Sequence, residues 1–392
     1  MPLMRLDDLL KHARAEGYAV GAYDAVDSTF LSAIIAGAES ADAPVIVSFA
    51  ESHFTHYDFP VLMGAAVVAA RRARVPVALF LDHGKGLDSA IDAIRHGANG
   101  VMADASHLPF EENVATTRAV VEMAHAVGVP VEGELGYVPG VEGEDAVLHP
   151  GEMQMTSPAE AVRFVAETDV DFLAVSIGTI HGRMRDESQL DLDRLAAIAA
   201  AVSVPLVIHG GTGLTDEQLR SLIAHGVTKL NYYTALSDLA AAAAAAALDP
   251  VNAGCTAGID AVRAVVAAEV ARTCEVFGAA GQSTAALAGC RPWQEVEHLV
   301  QFNWSADAAG SAADFERQGR AALLAVPGVR DVQLGHALRE DARYRRAWFI
   351  RLASCEAEGA YMADPAHLKY ADAVFRPHAG DRLKIDYRIV QA

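Results

Sequence analysis

Three apolar runs in the chain end in histidine: LFLDHG carries His83, SIGTIHG carries His181 and PLVIHGG carries His209. One histidine just past a buried run is an ordinary polar turn. Three at equivalent strand ends would face a single volume. Neutral imidazole is a favoured ligand of catalytic zinc, whose sites keep one coordination position open. Co2+, Fe2+ or Mn2+ could occupy the same nitrogens. Carboxylates accompany the histidines: Asp82 precedes His83, Asp104 ends the fourth run and Glu134 ends the fifth. Strand alternation sends the Asp82 side chain in a different direction from His83. Asp82 therefore reads as a partner of the ligand, or as an acid/base group that does not bind metal. Glu142 lies in GYVPGVEGEDAVLHPGEMQ, a long Gly-rich acidic segment of the kind that forms lids.

These side chains need a frame, and the apolar runs supply one. YAVGAY, PVIVSF, VPVALFLD, NGVMAD, VPVEGEL, VDFLAVSI, VPLVIH and VTKLNY alternate with helix-length segments such as STFLSAIIAGAES and TDEQLRSLIAHG. Strands alternating with helices imply a parallel sheet, and eight such units closed on themselves imply a (β/α)8 TIM barrel. A doubly wound sheet is disfavoured because no G-x-G-x-x-G follows the first strand. In a barrel, chemistry belongs at the C-terminal strand ends, where the histidines fall. Lys229 and Asn231, two apart on the eighth run, should both face the interior. The glycines of HGGTG (209–213) suit a phosphate site after strands seven and eight.

The rhythm changes after about residue 285. VEHLVQFNW, AADFERQGRAALLAV, VRDVQLGHAL, RRAWFIRL, a helix through AEGAYMADPAHLKYADAVF and LKIDYRIV give β-α-β-β-α-β, a small ferredoxin-like α+β domain. The expected division is a barrel over 1–285 and this domain over 293–392, joined by a loose linker in GAAGQSTAALAGCRP.

Bulk properties narrow the function classes. A net charge of −20 argues against nucleic acid or an anionic membrane as partner, while leaving room for a local phosphate pocket. The four cysteines form no CxxC pair, which fits a reducing cytosol. The first residues lack a signal-peptide layout, and the run Ala240 to Ala247 is too short to span a bilayer. A cytoplasmic protein is expected.

Taken in order, D-H (82–83), MADASHLPFEEN (102–113), VEGELG (131–136), GVEGED (140–145), SIGTIHG (176–182), HGGTG and N-Y-Y-T (231–234) resemble the class II, zinc-dependent fructose/tagatose-bisphosphate aldolases. The resemblance runs from the first helix to about Gly281. It implies that His83, His181 and His209 bind zinc, and that Asp104 and Glu134 belong to a second or alternate metal site. It implies Asp82 as proton donor to the aldehyde oxygen, and Glu142 as the residue handling the carbon-bound proton. Gly182, Gly210, Gly211, Thr212, Asn231 and Thr234 match positions that bind dihydroxyacetone phosphate. The implied reaction joins that donor to an aldehyde, or cleaves the product, through a metal-stabilised enediolate, in a homo-oligomer (dimer or tetramer). The C-terminal segment resembles the stress-responsive dimeric α+β barrel (Dabb) domains.

The chain departs from the family in having YDAVD, with Asp24 and Asp27, where an Asn-containing motif is common, and Arg183 after His181-Gly182. Three rival readings stand beside the aldolase. One is a Schiff-base enzyme using Lys229, which leaves the histidines without a role. Another is a binding or assembly protein on a retired barrel. The third is a metal-dependent enzyme that enolises or decarboxylates another phosphorylated ketone.

Overall fold

The computed structural model describes residues 2–140, 153–183, 189–248 and 254–390. Eight strands form a closed barrel: β1 Val20–Asp24, β2 Val45–Ala50, β3 Val77–Gly84, β4 Gly100–Ala103, β5 Val131–Leu135, β6 Phe172–Val175, β7 Leu206–Ile208 and β8 Val227–Asn231. Each pairs in parallel with the next, and β8 closes on β1 through Val20↔Lys229 and Ala22↔Asn231. A parallel sheet with helices outside is covered on both faces, so its strands read as continuous apolar runs. Every residue of the eight strands is buried except His83.

The surrounding helices begin where the sequence offers caps. Asp27 accepts from Thr29 N and Phe30 N at 2.7 and 2.8 Å to start the helix Ser28–Ser40. Thr215 and Gln218 form a reciprocal capping box before Asp216–Ala224. No helix among the described residues is long and apolar enough to cross a membrane.

The expected loose linker is instead a built element. Residues Ser283–Gly289 form a helix, Arg5 N donates to the Arg291 carbonyl at 3.0 Å, and the Arg291 guanidinium pairs with Asp8 at 2.7 Å. Alanine-rich TAALAG is a strong helix former, and its Gly and Ala content misled as a sign of flexibility. The first compact unit accordingly runs on through Pro292, and the second comprises Trp293–Ala392 with two short stretches, 91–97 and 122–129.

Within the second unit, β9 Val296–Trp304, β10 Val329–His336, β11 Arg346–Leu352 and β12 Ala379–Arg388 form an antiparallel sheet in the order β10-β11-β9-β12. The single helix expected before β12 is broken. Asp364 is extended (φ −66°, ψ 134°) and caps a new turn that begins at Pro365. Proline lacks the N–H the helix needs and forces the preceding residue out of the helical region.

One barrel glycine is a packing requirement. Tyr23 Oη bonds Thr273 Oγ1 at 2.7 Å, and a Cβ at Gly21 would lie 2.3 Å from that oxygen. Gly21→Ala should cost roughly 1–3 kcal/mol through overpacking. Gly64→Ala, mid-helix with nothing within 4 Å, should stabilise by about 0.5–1 kcal/mol. Denaturant midpoints of the two variants check this pair, and equal shifts would contradict it.

Candidate active site

The site begins with a fault in β3. Leu81 pairs with Val101, but the next pairing with β4 is Gly84 with Ala103, so β3 carries one extra residue there. His83 absorbs it with φ +47°, a left-handed conformation uncommon outside glycine. The expected divergence of Asp82 and His83 therefore does not occur. Asp82 Oδ2 lies 3.9 Å from His83 Nε2, and both side chains serve one volume. Alternation fails because it assumes an unbroken ladder. Strain of this kind costs about 1–3 kcal/mol and concentrates at functional sites.

His83, His181 and His209 do converge. Their ring centroids lie 4.8, 4.6 and 5.6 Å apart, pairwise, and one nitrogen from each falls within 4.8 Å of the others. The remaining nitrogen of each ring meets an oxygen. His83 Nδ1 reaches Asp104 Oδ2 at 2.7 Å, His181 Nδ1 the Val138 carbonyl at 3.1 Å, and His209 Nε2 the Glu132 Oε1 at 2.9 Å. A neutral ring donates its N–H to such an acceptor, which leaves the opposite nitrogen as a lone pair. His83 Nε2 then faces His209 Nδ1 at 2.9 Å. Two lone pairs so close need a cation or a proton between them. Glu134 Oε2, buried without a hydrogen-bond partner, lies 4.0 Å from the same His209 nitrogen. The residues present fit a divalent metal ion.

Charge is sharply divided here. Burial opposes ionisation of Asp82, but His83, His209 and Lys229 outweigh it and hold the carboxyl below its usual range. Asp104 is also lowered: burial again opposes, and the His83 contact wins. Burial, with Asp104 nearby, pushes Glu134 up to about 8. His209 is driven well below the usual histidine range by burial and then by His83. His83, Asp104 and Glu134 form a second cluster whose ligand atoms lie within 4.8 Å. A cavity of 430 Å³ opens beside them, lined also by Tyr137, Val138 and His181.

Sequence reasoning missed Glu132. It is fully buried on β5, accepts from Lys229 Nζ at 2.8 Å through one oxygen and meets His209 through the other. Burial raises its carboxyl above the ordinary range, against the pull of Lys229. Two glutamates two apart on an inward-facing strand, with a lysine on another, were the available signal: a buried lysine needs a partner. Lys229 does face the interior, with its amine also 4.1 Å from the Phe80 ring centroid. Its ion pair leaves it poorly placed to act as a Schiff-base nucleophile.

The glycine loops that follow β6 and β7 touch one another. Gly182 and Gly210 have φ of +84° and +69°, and a Cβ on Gly210 would lie 2.2 Å from the Ile180 carbonyl. The Gly211 N–H is not open to a ligand, since it donates to the Asn231 carbonyl at 3.2 Å. Thr212 Oγ1 accepts from Ala235 N at 3.2 Å, which ties the loop to the N-terminus of the helix Thr234–Ala247. The Asn231 amide donates to both Asp82 oxygens at 2.9 and 3.0 Å, so it orients the carboxylate. Asp27 is a helix cap, and Arg183 pairs with Asp238 at 2.8 Å. Glu142 lies outside the described residues.

The family profile described as "Fructose-bisphosphate aldolase class-II" matches residues 4–282. A fructose-bisphosphate aldolase of Thermus caldophilus is 42% identical over 221 residues, 56% of this chain and 72% of that protein. A 6-phospho-5-dehydro-2-deoxy-D-gluconate aldolase of Shouchella clausii is 38% identical over 237 residues, 60% of this chain and 80% of that protein. The crystal structure of a fructose-1,6-bisphosphate aldolase homologue from Coccidioides immitis superimposes with a TM-score of 0.67 at 30% identity, over 72% of this chain and 98% of that one.

The buried pair yields a stability test. Lys229→Met leaves the Glu132 carboxylate uncompensated and should cost about 3–5 kcal/mol, whereas Lys229→Met with Glu132→Gln should recover much of it. Chemical denaturation of both variants decides. Simple additivity would show that the two groups are not coupled.

Proposed function

Because the chain belongs to the class-II fructose-bisphosphate aldolase family, we propose that it is a zinc-dependent enzyme that joins dihydroxyacetone phosphate to an aldehyde and cleaves the resulting ketose phosphate. The observation that carries this reading is the inward turn of three imidazole nitrogens, each fixed by an oxygen on the opposite side of its ring. His83, His181 and His209 would hold the ion, with Asp104 and Glu134 offering an alternate position next to His83. When bound, the ion supplies Lewis-acid polarisation of the donor's ketone and hydroxyl oxygens.

The chain's own residues handle the protons. Asp82, kept ionised by its cationic surroundings and oriented by Asn231, takes the proton from the hydroxyl that becomes the aldehyde during cleavage. In the synthetic direction it returns that proton to the aldehyde oxygen. Glu142 exchanges the proton on the donor carbon. Gly182, Gly210, Gly211, Thr212, Asn231 and Thr234 would surround the donor phosphate, Gly211 without its N–H, which stays on the Asn231 carbonyl, and the helix starting at Thr234 would add its N-terminal partial charge. The aldehyde partner is left open by relatives named for two different aldolases.

The tail, in this reading, is a separate Dabb-like domain that adds an oligomer contact. Phe349, Leu383 and Tyr387 are 40%, 41% and 47% exposed, and strand register places them on one open sheet face. A homo-oligomer would cover that face.

Two experiments test the proposal. A chelator should abolish cleavage and Zn2+ restore it, and His209→Ala should lower metal content while the fold persists. Asp82→Ala should keep solvent exchange of the donor's carbon-bound proton and lose bond cleavage, and Glu142→Ala should lose exchange while retaining metal. Full activity in metal-free protein, or borohydride trapping of substrate on Lys229, would overturn it. For the tail, a chain ending after Pro292 should keep its metal and proton exchange yet show a smaller mass by light scattering. An unchanged assembly mass would count against the tail's role.

A further inference from the structure

The second compact unit contains a cavity of its own, 160 Å³ in volume, between its sheet and its helices. Register fixes which side chains share it. Trp348 pairs with Val300 and Ile350 with His298 across β11 and β9, while Lys384 pairs with Val300 and Arg382 with Phe302 across β12 and β9. These residues therefore occupy one face, and the helices close it with Leu323, Tyr361, Tyr370 and Phe375. The interior is aromatic and aliphatic. Its size suits a single ring, since a cavity of about 150 Å³ accommodates benzene.

Two of the side chains that line it carry a buried polar atom without a hydrogen-bond partner. Trp348 is 2% exposed and its indole N–H has no hydrogen-bond partner; His367 is 8% exposed and its Nδ1 has none. A tryptophan N–H can only donate, and a buried donor left unpaired costs about 1–3 kcal/mol, so such groups in folded proteins call for an explanation. Neighbouring polar groups are already engaged. Tyr370 Oη donates to the Phe315 carbonyl at 3.2 Å, and His298 Nδ1 meets Asp386 Oδ1 at 2.5 Å.

Charge at the rim points the same way. Arg376, Arg382 and Lys384 line the opening. Arg376 is paired with Asp372, but neither Arg382 nor Lys384 has an ion pair with any described residue. Two uncompensated cations beside one apolar cavity stand out in a chain of net charge −20. The lowered His367 pKa, caused first by burial and then by His298, Arg376 and Lys384, fits the same cationic surroundings.

We propose that this cavity is a second ligand site, distinct from the barrel mouth, that binds a small carboxylate with a single-ring or similarly compact apolar body. The ring fills the space among Val300, Ile350 and Leu323. The carboxylate meets Arg382 and Lys384, and the Trp348 N–H or the free His367 nitrogen takes a polar substituent on the ring. A sugar phosphate is a poor occupant, because the aliphatic and aromatic walls offer few partners for its hydroxyls.

Titration calorimetry of the full chain with benzoate, benzyl alcohol and inorganic phosphate tests this without any assay of aldol chemistry. Benzoate should bind saturably, and benzyl alcohol, alike in shape but neutral, at least about tenfold more weakly. Arg382→Gln combined with Lys384→Gln should weaken benzoate by on the order of tenfold or more, while its unfolding midpoint stays that of the parent. Both positions are exposed on β12, so the variant should fold. Heat from phosphate, which the barrel loops also supply, should be the same in parent and variant. Three results would each overturn the proposal: no saturable benzoate binding below about 10 mM, benzoate affinity unchanged in the double variant, or benzyl alcohol binding as tightly as benzoate.

Discussion

A carboxylate with no access to water, Glu132, bonds a lysine through one oxygen and a histidine through the other, and the arrangement of the histidine cluster at the barrel mouth hangs from it. Burying a charged pair costs several kcal/mol per ion before their mutual attraction offsets it, so such a pair is weak evidence of net stabilisation. Its value here lies in orientation. With Glu132 fixed by Lys229, His209 must present its Nε2–H to the carboxylate and its Nδ1 to the shared volume. An apolar replacement could pack as well, yet would leave that ring free to turn or to take the other tautomer.

The second constraint is the extra residue in β3. A regular strand would present Asp82 and His83 to opposite faces, putting one in the barrel and the other against the helices. The bulge brings both to the mouth, at the cost of a left-handed histidine. That strain is held by contacts on every side: Asp104 on the ring, Asn231 on the neighbouring carboxylate, and resumed pairing of Gly84 with β4. The one residue of the eight barrel strands that is not buried is thus also the one whose backbone is displaced.

Much of this was legible in the sequence, because the barrel's logic is periodic. Continuous apolar runs such as VPVALFLD and VDFLAVSI, alternating with helix-length segments, read as strands covered on both faces, and the position of each histidine at a run's end located the mouth. Features outside that periodicity were hidden. The bulge leaves no signature in L-D-H-G, so strand alternation sent Asp82 and His83 in different directions. Glu132 carries no local signal of its own, and only Lys229 facing it across the barrel shows why a buried carboxylate belongs there. Residues 283–289 read as a linker from composition, although alanine favours helix and Arg291 had a carboxylate waiting on Asp8. Pro365 was visible but was read through, where the rule for the residue before proline would have stopped the helix.

Barrel closure has a consequence for the growing chain. Asp82 and Asn231 are 149 residues apart, and they meet only when β8 pairs with β1. At roughly 5–20 residues per second, a ribosome takes about 7–30 s to travel that distance. Throughout that interval β1 has an unpaired edge, and a sheet edge invites pairing with other chains. The nascent protein is therefore most vulnerable while its barrel is open, and the C-terminal unit, made last, emerges only after the barrel has the strand it needs to close.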